Sequence, residues 1–372
     1  MQRNLVDAST ILLVRAGSHA YGTNTPTSDL DVRGIMIPPS DYYLGMKRVE
    51  QYQEAGDGTE AKPDLVVYEL RKYLNLAADA NPNILELLFC DDSDVLKITP
   101  AGEKLRASRY LFLSKKARHT FSGYAMSQLK KIESHRRWLL HPPSAPPCRA
   151  DSGLPERAVI PADQLAAATA MMMRKVADWE NTLPTFGVDC ADEASTIAMR
   201  DRIVETLTEI HAATTDERVL AAGRVLGFDD NFLDLLDRER RYEQKRREWD
   251  SFKAWKATRN EARSELECKY GYDTKHGMHL VRLMRTCAEI LTSGTVLVKR
   301  PDAAELLSIR QGAWSYERLI GWARDQDAKM TALAAVSPLP HSPDREAIGT
   351  LCEALLREGL GLQGRQGVQD VN

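Results

Sequence analysis

The sequence predicts an α+β protein, a small mixed-sheet region followed by a mostly helical remainder. Three observations lead there. Over about the first 110 residues, short β-branched and apolar runs alternate with turn signals and helical stretches. From about residue 115 onward, helical periodicity dominates. The length of 372 residues, at roughly 100–200 residues per domain, suggests two domains.

Thr10 to Arg15 (TILLVR) reads as a buried strand, stopped by Ala16-Gly17-Ser18. Val32 to Pro38 (VRGIMIP) reads as a second, ended by Pro38-Pro39, and Asp64 to Tyr68 (DLVVY) as a third. Glu69 to Ala80 then has helical spacing, with Leu70, Tyr73, Leu74 and Ala77 on one face. Asn81-Pro82-Asn83 breaks it, and Ile84 to Phe89 begins another short helix. Long helices are expected over Lys115 to Leu140, Ala162 to Trp179, Glu193 to Ala213, Asp229 to Tyr270 with a break, and His276 to Thr292. His141 to Pro161, rich in Pro, Ser and charge, reads as a loop. The end, GLQGRQGVQDVN, reads as a loose tail. The expected division is a sheet domain over 1–113 and a helical domain over 114–340. A C-terminal helix with its tail follows over 341–372.

A net charge of −3 argues against a single-sign field over the whole surface, so nucleic acid would need a local basic patch. No apolar run reaches the roughly 20 residues of a membrane-spanning helix, and no secretory signal is read at the N-terminus. The six cysteines are scattered without a C-x-x-C pair, which points away from a zinc site or disulfide framework and towards a reducing, cytoplasmic setting.

The segment with chemistry is Gly17 to Gly34, GSHAYGTNTPTSDLDVRG. A glycine after a strand lets backbone approach a ligand closely, and Ser18 adds a hydroxyl at the same turn. Backbone N–H groups at such a turn suit phosphate oxygens. Asp29 and Asp31, two places apart, point the same way on an extended chain. Two converging carboxylates call for a cation, and Mg²⁺ takes one or two carboxylates plus substrate phosphates. Taken singly, a D-x-D or a Gly-Ser is usually a solvated turn. The combination, a ten-residue gap between Ser18 and Asp29 followed by an apolar strand, is more specific.

The pattern G-S-x10-D-x-D resembles the signature of the DNA polymerase β-type nucleotidyltransferase superfamily. The fuller string G-S-x-x-Y-G-T-x-T-P-x-S-D-x-D-x-R-G resembles its RNA ligase-associated (RlaP-like, YcgL-type) branch of nucleotidyltransferases. Similar stretches are Asp64 to Phe89, Ser114-Lys115-Lys116, Tyr124, Gln128-Leu-Lys-Lys, and, towards the C-terminus, Arg259-Asn260, Arg263, Glu267 and Tyr270 to Leu283. The region from about 141 to 240 has no such counterpart. The resemblance implies that 1–113 is a nucleotidyltransferase catalytic domain and that 259–285 carries a family motif in the helical part. It implies two Mg²⁺ ions, with Mn²⁺ as the alternative, held by Asp29, Asp31 and a third carboxylate, for which Asp64 is preferred over Glu69. It implies a nucleoside triphosphate held by Gly17 and Ser18. Glu69 also reads simply as a first-turn acid favoured by the helix dipole.

In Asp273 to Arg285 (DTKHGMHLVRLMR), Asp273 reads as an N-cap. Lys275, His279, Arg282 and Thr286 fall on one stripe of the helix it starts. Spacing alone makes that stripe a solvated face, with His276 buried and hydrogen-bonded. The resemblance makes Lys275, His279 and Arg282 nucleotide-binding. A histidine-based metal site is not expected, and His119, His135, His141 and His211 receive no role. Arg238 to Arg263 is basic with interleaved aromatics, a nucleic-acid pattern diluted by Glu239, Glu243, Glu248 and Asp250. Met171-Met172-Met173 reads as gap-filling core.

The expected function is transfer of a nucleoside monophosphate from a triphosphate to a hydroxyl, with release of pyrophosphate. The acceptor is an RNA end, a protein side chain or a small molecule. The alternative is a non-catalytic nucleotide or RNA-binding module on the same fold.

Overall fold

The computed structural model describes residues 1–182, 215–259 and 261–362. The helix expected over Glu193 to Ala213, His211, Asn260 and the tail beyond Leu362 lie outside the described residues. The chain forms two compact units, Met1–His141 joined by Asn260–Asn372, and Pro142–Arg259. These units fall elsewhere than the expected boundaries at 113/114 and 340/341. The physical reason is a shared core: Phe121 and Ile132, Leu280 and Leu283, and Leu319 bury themselves together with Leu12 and Leu70 of the sheet region.

The first unit is α+β. Helix α1 (Arg3–Ser9) leads into β1 (Thr10–Ala16), then α2 (Gly17–Tyr21) and β2 (Asp31–Met36). After α3 (Asp41–Leu44) come β3 (Gln51–Glu54), β4 (Asp64–Glu69), α4 (Leu70–Ala78), α5 (Pro82–Phe89), β5 (Val95–Ile98), α6 (Pro100–Ala107) and α7 (Ala117–Leu140). The strands lie in the order β3-β4-β2-β1-β5. β2 runs parallel to β4 and antiparallel to β1, so the sheet is mixed. The β2–β4 register sets Asp31 beside Asp64, Arg33 beside Val66 and Met36 beside Glu69. One sheet face packs Val32, Leu65 and Val67 against Val6 of α1. The other joins the main core through Leu12, Val14 and Ile35.

The turn after β1 is the first turn of α2, with Gly17 at φ +63°. Helix α4 starts at Leu70 because Glu69 caps it, its carboxylate accepting the Lys72 N–H at 3.0 Å. Asn81 caps α5, and Pro82 occupies that helix's first position, where its missing N–H costs nothing.

The unit is completed by α11 (Glu261–Tyr270), α12 (Thr274–Ser293), α13 (Ala303–Arg310), α14 (Tyr316–Val336) and α15 (Arg345–Gly359), numbered after three helices of the second unit. Helix α12 is central: Leu280, Val281, Leu283, Met284, Cys287 and Ile290 are all buried. Asp273 caps it, accepting the His276 N–H at 3.0 Å.

The second unit contains α8 (Ala162–Thr182), α9 (Thr215–Val225) and α10 (Asp230–Ala257). Its core gathers Met172, Val176, Val219, Ala222, Leu233 and Leu236. Of the methionine triplet only Met172 is core, while Met171 and Met173 are about half exposed at 51% and 46%. Consecutive helical residues point about 100° apart, so a triplet cannot all face one core. Acids within α10 pair with part of its basic run, Arg238 with Asp234, Arg241 with Asp237 and Arg246 with Glu243, while Glu239 takes Arg149 from outside the helix.

Candidate active site

A cavity of about 650 Å³ opens in the first unit, a size that suits a nucleotide. The sequence-expected Gly17, Ser18, Asp29, Asp31, Lys275, His279 and Arg282 all line it. Residues some 250 positions apart therefore meet in one place.

The contact between turn and carboxylate is tight. A Cβ placed on Gly17 would lie 2.6 Å from Asp31 Oδ2, closer than atoms pack, and its positive φ disfavours any other residue. Glycine is thus required twice over, by backbone conformation and by the approach of Asp31. Asp29 lies against the loop between β3 and β4, where a Cβ on Gly58 (φ +79°) would come within 2.7 Å of Asp29 Oδ1. The loop is held by Leu30 N–H donating to Gly58 O at 2.8 Å. Asp31 Oδ1 accepts from Arg33 Nη2 at 2.8 Å, and that guanidinium also donates to the Asp64 carbonyl.

The two candidates for a third carboxylate stand at opposite ends of β4. Asp64 is the register neighbour of Asp31, on the same sheet face. Its Oδ1 accepts the Gly56 N–H at 2.7 Å, and Asp64 itself does not line the cavity. Glu69 lies five residues further along β4, about 16 Å at strand spacing, and on the opposite face. It is buried, and accepts from Tyr43 Oη at 2.8 Å besides capping α4. Glu69 is a structural cap, remote from Asp31.

On α12, Lys275, His279 and Arg282 border the cavity, whereas Thr286 is buried and donates back to the Arg282 carbonyl. Arg282 is buried, at 3% exposure, and does more than border it. Its guanidinium is paired with Glu86 of α5 and stacks on the Tyr21 ring at 3.7 Å. Tyr21 Oη donates to the other Glu86 oxygen at 2.6 Å. Burial pushes the Tyr21 hydroxyl far above the ordinary phenol range, so it remains a donor. Arg282, Glu86 and Tyr21 thus tie α12 and α5 to the short helix that begins with Gly17 and Ser18. Burial, reinforced by Arg282 and Lys275, holds His279 well below the ordinary imidazole range, so at neutral pH it is uncharged.

Sequence reasoning gave no role to several residues that the fold brings here. Tyr124, Gln128 and Lys131 of α7 line the cavity at helical spacing, and Asn83, Arg15 and Arg310 line it from other elements. The i, i+4, i+7 spacing of the α7 trio was a usable signal, although it reads equally well as a solvated face. In all, six Lys and Arg face three carboxylates around the cavity, a balance that suits a polyanion.

A divalent cation fits the donor set of Asp29 and Asp31, two carboxylates that line one cavity, Asp31 against the Gly17 turn and Asp29 against the Gly58 loop, since Mg²⁺ is usually held by one or two carboxylates and substrate phosphates. Asp29, Asp31 and Asp64 do not form a closed three-ligand cluster. Among the described residues the one such group, with its ligand atoms all within 4.8 Å of one another, is His135, Asp273 and His276.

An uncharacterized 38.9 kDa protein of the nrdC-mobD intergenic region of Enterobacteria phage T4 is 29% identical over 122 residues, 31% of this chain and 36% of the relative. The uncharacterized protein YcgL of Bacillus subtilis (strain 168) is 28% identical over 134 residues, 34% of this chain and 50% of the relative. The chain thus spans half or less of the length of these curated relatives. No solved structure matches it significantly. Among the described residues no helix is long and apolar enough to cross a membrane. Residues 2–140, which hold the Gly17–Asp31 segment and the sheet, match the RlaP family, the RNA repair pathway DNA polymerase beta family.

Proposed function

We propose that the first unit is a metal-dependent nucleotidyltransferase that moves a nucleoside monophosphate from a triphosphate to a hydroxyl acceptor. The observation that carries the reading is the meeting of Gly17 and Ser18, Asp29 and Asp31, and Lys275 and His279 in one cavity. The acceptor hydroxyl oxygen forms a bond to the α-phosphorus, the α–β phosphoanhydride breaks, pyrophosphate leaves with the bonding electrons, and the hydroxyl proton passes to solvent. Asp29 and Asp31 would hold Mg²⁺ or Mn²⁺, with Asp64 as the third carboxylate beside Asp31. When bound, the metal supplies charge neutralisation for the attacking and leaving oxygens.

In this reading the chain's own residues do the rest. The Gly17–Ser18 turn offers backbone N–H groups and a hydroxyl to the triphosphate. Lys275 and Lys131 balance its charge. Uncharged His279 acts as a hydrogen-bonding group and adds no further positive charge. Arg282 acts as a positioning residue through Glu86 and Tyr21. The family's description as part of RNA repair makes an RNA end the preferred acceptor.

A second reading, a nucleotide or RNA-binding module without turnover, is favoured by one observation. Asp31 already carries the Arg33 guanidinium, and Asp64 the Gly56 N–H. Both readings are tested by incubating the full chain with each α-labelled triphosphate, Mg²⁺ and total RNA or total protein. Label entering RNA with the native chain, and not with Asp29→Ala or Asp31→Ala, supports transfer to RNA. Label entering protein redirects the acceptor. Nucleotide binding with no transfer to either supports the module.

A further inference from the structure

We propose that His135, Asp273 and His276 form a second metal site, selective for a transition ion such as Zn²⁺ and separate from the carboxylates of the nucleotide cavity. His135 lies on α7, while Asp273 and His276 open α12, 138 and 141 residues later. The fold brings one ligand atom from each within 4.8 Å of the other two. Asp273 is buried, and the two histidines are half-buried, so this is no solvated acidic patch.

The spacing suits an ion. His276 Nε2 and Asp273 Oδ2 are 3.6 Å apart. Zinc bonds of about 2.0–2.2 Å to nitrogen and oxygen give a tetrahedral edge of about 3.4 Å, so small side-chain movements close the site. The carboxylate is also already oriented. Asp273 Oδ1 accepts the His276 N–H, which leaves Oδ2 as the remaining oxygen and fixes the carboxylate's orientation. The His135 ring stacks on Trp138 with centroids 5.6 Å apart, which limits its rotation. Two imidazoles and one carboxylate select Zn²⁺, Co²⁺, Fe²⁺ or Ni²⁺ over Mg²⁺, which prefers oxygen. Three protein ligands leave a fourth position for water or another ligand.

The placement gives the ion a function. It pins the start of α12, which carries Lys275 and His279, to α7, which carries Gln128 and Lys131, and all four border the nucleotide cavity. His276 itself lines that cavity. The metal therefore sets the spacing of the cavity's two helical walls from a point outside the Asp29–Asp31 pair.

The test uses the metal-stripped full chain titrated with Zn²⁺, and with Co²⁺ followed by visible absorption. The expected result is one equivalent bound, with a spectrum of nitrogen and oxygen ligation and Mg²⁺ unable to displace it. Asp31→Asn should bind the ion as the native chain does, which separates this claim from the proposed activity. His135→Ala and His276→Ala should each weaken binding by more than the roughly 10–100-fold that loss of an outer-shell partner costs. His135→Gln, closer in size, guards against a folding defect, and circular dichroism checks each variant. No binding by the native chain, unchanged binding in both histidine variants, a thiolate charge-transfer band, or loss of the ion in Asp31→Asn would each overturn the proposal.

Discussion

Arg282 and Glu86 make a pair whose energetics follow from its burial. Their side chains are 4% and 6% exposed, and Tyr21 closes the arrangement. Replacing one partner leaves the other charge inside the protein without its counter-ion, at a cost of about 3–5 kcal/mol. Arg282→Leu leaves Glu86 with only the Tyr21 hydroxyl, and Glu86→Leu leaves the guanidinium against the Tyr21 ring. Removing both at once takes away the desolvation problem together with the attraction, so the double variant should cost much less than the sum. Denaturant unfolding of the four proteins, followed by circular dichroism, gives the coupling directly. We expect singles near 3–5 kcal/mol and a double variant at or below the worse single. Nucleotide affinity should fall in both singles, because Tyr21 lies in the helix that begins with Gly17 and Ser18. Additive effects, or singles below about 1 kcal/mol, would refute the assignment of Arg282 as a positioning residue.

Other expectations rest on separate features. Gly17→Ala meets both a left-handed backbone penalty of about 1–2 kcal/mol and the clash with Asp31, so nucleotide affinity should fall while Ser18→Ala has the milder effect, as calorimetric titration would show. Asp64→Asn should lower label transfer by more than the roughly 10–100-fold that loss of an outer-shell partner costs, whereas Glu69→Gln should leave transfer unchanged and only destabilise α4 by about 1 kcal/mol, read by unfolding. His279 has a folded pKa below its ordinary 6.5, so the unfolded chain binds the extra proton first as pH falls. Its contribution is full above about pH 6.5 and declines as pH drops below it, with a slope of at most about 1.4 kcal/mol per pH unit. His279→Gln should flatten stability against pH in that window, and an unchanged slope would sink the assignment.

Much of the sheet is legible in the sequence, for reasons specific to each strand. Runs such as TILLVR and DLVVY advertise buried strands, and β1, β2 and β4 are found where those patterns put them. The strands QYQE (β3) and VLKI (β5) have no such signal, because they lie at the sheet edges, where nearly every residue keeps some exposure. That Gly17, Asp29 and Asp31 come together at one cavity is legible because they are close in sequence, one turn and one extended segment. Which of Asp64 and Glu69 lies beside Asp31 follows from the β2–β4 register, which sequence spacing does not encode. His135 passes unnoticed for a similar reason. Its neighbours Asp273 and His276 are brought to it only by the packing of α7 on α12. The return of residues 261–362 to the sheet's core is likewise a matter of tertiary packing, invisible to periodicity.

The central claim is that two distant segments form a single nucleotide site. A crystal structure of the full chain with a non-hydrolysable triphosphate analogue and Mn²⁺ tests it most directly. Anomalous scattering from Mn²⁺ is expected between Asp29 and Asp31, with phosphates spanning Ser18 and Lys275. Manganese elsewhere, or a nucleotide held away from both Gly17 and α12, would contradict it.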